Sequence, residues 1–75
     1  MTSTTFEHPE TKALRCIRAY LAAKPTSIVR HTAYRALIRN LNAAFSLDGY
    51  SQEEIRRMDL DSHADAWIDR VRRED

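Results

Sequence analysis

The stretch His31–Phe45, HTAYRALIRNLNAAF, is the longest amphipathic pattern in the chain and decides how the rest is read. Ala33, Tyr34, Leu37, Ile38, Leu41, Ala44 and Phe45 recur at three- and four-residue steps, the period of one helix face. His31, Arg35, Arg39 and Asn42 fall on the opposite side at the same spacing. The pattern predicts a helix with an apolar stripe for a core and a basic stripe left facing outward.

Upstream, a first helix is expected to begin at Pro9, whose fixed φ suits the first turn, and to run to about Ala23. Glu7 and Glu10 sit at its positive end. Ala13, Leu14, Ile17, Tyr20 and Leu21 form its apolar face, and Lys12, Arg15 and Arg18 lie on the other side. Pro25 ends it, because the residue before a proline is pushed out of the α region. Carrying the second helix back through residues 26–32 would place Arg30 in the middle of the face defined by Leu37 and Leu41. The simpler expectation is a connection or short turn capped by Thr26 or Ser27, with the main helix starting near Thr32.

Downstream, the second helix is expected to end near Ser46, with Gly49 where a left-handed capping residue belongs. The run Tyr50-Ser51-Gln52-Glu53-Glu54-Ile55 matches a capping box (Ser51 with Glu54) and a hydrophobic staple (Tyr50 with Ile55). The helix that starts there is short, because stepping on from Ile55 and Met58 lands on Ser62, Asp65 and Asp69. Ala64, Trp67, Ile68 and Val71 resume the apolar pattern in a new phase. That last helix is expected to be capped by Asp61 or Ser62, with Arg70, Arg72 and Arg73 at its negative end.

The expected fold is therefore all-α: a small bundle of three main helices plus one short helix. Residues 1–7 are expected to form a frayed tail and residues 8–75 a single domain. One glycine and two prolines in 75 residues agree with helices rather than strands, and 43 % hydrophobic content supplies a modest core. Cys16 stands alone, so no intrachain disulfide can form, which fits a reducing compartment. The first ten residues carry neither a basic residue past the amino terminus nor an apolar run, so no signal peptide is expected. The longest apolar run, Ala19–Ala23, is far too short to cross a bilayer, so no membrane association is expected and the cytoplasm is the expected compartment.

Net charge is only +1, but its distribution is uneven. From Thr11 to Leu47 there are seven basic residues and no acid; from Asp48 to Asp69 there are seven acids against Arg56 and Arg57. Arginines at helical spacing can neutralise phosphates, which makes Lys12, Arg15, Arg18, Arg35 and Arg39 the residues of a nucleic-acid-binding alternative. Against it, the acidic half is expected to pack beside the basic half and screen it. A helix-turn-helix reading would make Asp61–Val71 the recognition helix, but Asp61, Asp65 and Asp69 form a stripe that phosphates would repel.

Catalysis and metal binding find no support in the inventory. His8, His31 and His63 stand far apart with Cys16 isolated among them, and no glycine-rich phosphate loop is present. No catalytic residue, metal, cofactor or small-molecule substrate is expected, and the chain is read as non-enzymatic. Protein binding remains. Trp67, Tyr34, Tyr50, Phe45, Met58 and Leu60 could anchor a core or an interface, while Ile28, Val29 and Leu60 fall outside the three apolar stripes. The expectation is a small regulator or inhibitor docking on a larger protein, with Arg35, Arg39, Tyr50 and Trp67 as interface residues. The charge split favours a homodimer with basic half on acidic half, or a partner with its own charged patch. That so short a chain is an accessory protein of a bacterium or phage is an expectation from size alone.

Overall fold

The computed structural model describes residues 7–74, and every element among them is a helix. In chain order these are α1 (Pro9–Ala22), α2 (Ile28–Leu47), α3 (Gln52–Arg57) and α4 (Leu60–Glu74). The fold is the expected small all-α bundle of three sizeable helices and one short one. Residues 1–6 of the expected frayed tail lie outside the described residues; Glu7 is described and ion-pairs with Arg15.

α1 and α2 form an antiparallel hairpin, with Tyr20 facing Tyr34 and Cys16 facing Asn40 across it. α4 packs against both, and α3 packs mainly against α2. The core that joins the three long helices is Ala13 and Ile17 from α1, Leu37 and Leu41 from α2, and Ala64, Ile68 and Val71 from α4. Ile17 and Leu37 are fully buried, each burial contributing about 1.5–3 kcal/mol. The alanines at positions 13 and 64 let helix backbones approach closely without leaving polar atoms in the interior.

Pro9 holds the first position of α1, and the His8 ring accepts the Glu10 N–H at 3.1 Å as the N-cap. α2 ends near where the sequence placed it, in a left-handed turn. Gly49 adopts φ +102, its N–H reaches the Ser46 carbonyl, and the Tyr50 N–H reaches the Phe45 carbonyl. These two bonds are the Schellman pattern, and the Tyr50 and Phe45 rings meet edge-on at 5.6 Å to complete it. The capping box of α3 is present in full: Ser51 Oγ accepts the Glu54 N–H at 3.1 Å and Glu54 Oε1 accepts the Ser51 N–H at 2.9 Å.

Three expectations need correction. α2 does not wait until Thr32; Ser27 caps it and accepts the Arg30 N–H at 3.2 Å, so Ile28 is its first residue. Arg30 does fall on the inward side, as the periodicity requires. It is tolerated because α1 has already ended at Ala22, and the guanidinium lies 4.2 Å above the Tyr20 ring. α4 is capped by Asp59 rather than Asp61 or Ser62: Asp59 accepts the Ser62 N–H at 3.3 Å and the Ser62 hydroxyl at 2.8 Å. Met58 is extended on leaving α3, which makes Leu60 the first residue of α4 and packs it against the core instead of leaving it over.

Candidate interaction surfaces

The basic and acidic halves do lie side by side, yet their charges do not pair. Every ion pair among the described residues is local: Arg15 with Glu7, Arg57 with Glu53, Arg70 with Glu74, and Arg72 with Asp69. None joins α1 or α2 to α4. Side-chain hydrogen bonds supply the polar link instead. The Tyr34 hydroxyl donates to Asp61 and Asp65, at 3.3 Å to each. Burial, then the negative charges of Asp65 and Asp61, push the Tyr34 phenol well above its ordinary pKa. Asp59 is displaced in the opposite direction, because the Ser62 hydroxyl and N–H both stabilise its carboxylate.

Arg35 and Arg39, one turn apart on α2, come together as expected. They share an open groove with Tyr34, Ile38 and Asp61, so one wall is cationic, the other carboxylate-bearing, and the floor apolar. Both arginines are exposed and have no carboxylate within 4 Å among the described residues. The other two expected interface residues lie elsewhere. Tyr50 is at the α2–α3 corner, where its ring secures the end of α2 while remaining 43 % exposed. Trp67 is half-buried, packed on the core and beside Glu10 and Leu14 of α1. The four residues therefore do not form one surface.

Of the basic residues on α1, Lys12, Arg15 and Arg18 are all exposed; Arg15 is engaged by Glu7. Among the described residues no three His, Cys, Asp or Glu side chains come together as metal ligands, and no helix is long and apolar enough to cross a membrane. Cys16 is half-buried and accepts a weak bond from the Asn40 amide at 3.7 Å.

The surface that sequence reasoning did not locate is the corner between α1 and α2. Ile28 is 83 % exposed and Val29 62 %, the two most exposed large apolar side chains among the described residues. Their chain neighbours Ser27 and Arg30, with Tyr20, Pro25, His31, Tyr34 and Asp65, line an open hollow of about 490 Å³. The Arg30 Nε is buried there without an acceptor. The signal in the sequence was the failure of Ile28 and Val29 to join any apolar stripe; what could not be read was that they begin a helix.

Comparison with protein-family models, with curated proteins and with solved structures returns no match. The functional reading therefore stands on these surfaces alone.

Proposed function

We propose that the protein is a non-enzymatic binding module, a small regulator or inhibitor that docks on a larger protein through the α1–α2 corner. The observation that carries this is the exposure of Ile28 and Val29 on the first turn of a rigid twenty-residue helix. Adjacent branched apolar side chains held in water by a folded element are costly to leave there, and contact with a partner recovers that cost. The Arg30–Tyr20 stack beside them supplies the aromatic and arginine chemistry that concentrates binding energy at interfaces.

The test is capture from host lysate, with and without nuclease, comparing the wild type with Ile28→Asp/Val29→Asp. The first turn of α2 holds no acid, and aspartates at a helix N-terminus favour the helix, so this variant keeps its fold. A discrete protein bound by the wild type, resistant to nuclease and lost in the variant, is the expected result. Capture unaffected by the substitutions refutes docking at this corner.

A second reading rests on Lys12, Arg18, Arg35 and Arg39 having no ion-pair partner among the described residues. Those side chains are available to phosphates, and binding through them would weaken steeply with salt. Material that disappears with nuclease, together with loss of binding in Arg35→Glu/Arg39→Glu, would favour a nucleic-acid-binding module instead.

A further inference from the structure

We infer that the α2–α4 groove is a self-association surface whose occupant is a second copy of this chain. The inference rests on the binding-module reading and assigns its assembly state to a surface that adjoins the docking corner, sharing Tyr34 with its hollow but not Ile28 or Val29. The groove has two walls of opposite charge. Arg35 and Arg39 stand on α2, and Asp61 stands across the same groove on α4; Asp65, one turn further along, extends that carboxylate row into the neighbouring hollow. Tyr34 and Ile38 form the floor between them, and the Tyr34 hydroxyl ties Asp61 and Asp65 to α2.

A surface with a cationic row on one side of an apolar floor and an anionic row on the other is complementary to itself. A two-fold axis through the groove sets the arginines of one copy against the carboxylates of the other, and the reverse pairing follows by symmetry. No like charges are forced together, and the net charge of +1 per chain adds little long-range repulsion. Within one chain the rows do not satisfy each other, since neither arginine has a carboxylate within 4 Å among the described residues. The molecule measures 42 × 34 × 25 Å, so a broad face offers more than the roughly 500 Å² per copy that a specific contact needs.

The experiment is sedimentation equilibrium at low and high salt on the wild type, Arg35→Glu/Arg39→Glu, Asp61→Lys/Asp65→Lys, and an equimolar mixture of the two variants. The wild type is expected to approach twice its 8.7 kDa mass at low salt and to dissociate as salt is added. Each variant has two walls of one sign and should self-associate at least about tenfold more weakly. Their mixture restores opposite walls and should recover the dimer. Arg35 and Arg39 are exposed and form no ion pair among the described residues, so the arginine variant remains a sound test even if the aspartate variant, which loses the Tyr34 bonds, does not fold. A wild type that stays monomeric at about millimolar concentration overturns the inference. So does an arginine variant that dimerises like the wild type. A monomer that still captures a protein through Ile28 and Val29 overturns the dimer alone, whereas a dimer whose corner captures nothing overturns the docking reading alone.

Discussion

Replacing Arg30 by methionine should leave the protein at least as stable as the wild type, although it removes a charge stacked on an aromatic ring. Two contributions oppose each other at this site. The guanidinium 4.2 Å above the Tyr20 ring contributes about 0.5–2 kcal/mol. The buried Nε–H without an acceptor costs about 1–3 kcal/mol. Methionine keeps an unbranched stem over the ring, has nearly the helix propensity of arginine, and carries no donor to orphan. The expected net change is about 0–1 kcal/mol in favour of Arg30→Met. Arg30→Ala relieves the same donor but uncovers Tyr20, and relative to methionine it lacks three methylene-sized groups, Cγ, Sδ and Cε, at about 0.8 kcal/mol each, reduced by partial exposure. Methionine should therefore exceed alanine by about 1–2 kcal/mol, roughly 4–16 °C in Tm for a domain of this size. Urea and thermal melts followed by circular dichroism measure both differences. If Arg30→Met were less stable than the wild type by more than about 1 kcal/mol, the reasoning would be refuted, because the cation would then outweigh its buried donor.

Gly49→Ala should cost about 1–2 kcal/mol through the positive φ alone, since an added Cβ meets no atom within 4 Å; a larger loss in chemical denaturation would show that the turn needs more than its backbone angle. Asp59→Asn should flatten the acid limb of stability against pH. A carboxyl held below its ordinary pKa stabilises the fold above the unfolded pKa, and that contribution disappears as pH falls through the folded value. Tyr34→Phe should act at the alkaline end. A phenol held above its ordinary pKa stabilises below the unfolded value, and the contribution is lost as pH rises toward the folded one. Ultraviolet titration of the wild type should show a late phenolate phase that the phenylalanine variant lacks.

The features legible in the sequence are those whose partners lie within a few residues. The capping box of Ser51 and Glu54, the turn at Gly49, Pro9 at the head of α1 and the apolar stripes of the three long helices are of this kind. Arg30 was not legible because what makes it acceptable, Tyr20, belongs to another helix whose end had to be placed first. The start of α4 was ambiguous for a different reason. Asp59, Asp61 and Ser62 can all cap, and only the extended backbone at Met58 selects among them. The charge split was correctly read from composition, but not its consequence. Composition suggests that adjacent halves screen each other, whereas among the described residues the ion pairs form only within their own stretch of chain. The groove shared by Arg35, Arg39 and Asp61 required knowing which side of α2 meets α4.

The six residues of α3 have a kinetic consequence. Their one buried side chain, Ile55, lies outside the cluster that joins α1, α2 and α4, which closes over Ala64, Ile68 and Val71 without it. Both ends of α3 are stopped by local caps, so the segment can open by itself, at the cost of exposing Ile55 and parting Gln52 from Asn42 of α2. Amide protons of residues 52–57 should therefore exchange with solvent deuterium by a local opening, while those around Leu37 and Ile68 wait for global unfolding. The chain between α2 and α4 should thus open as a unit of its own inside a frame that opens only with the whole fold.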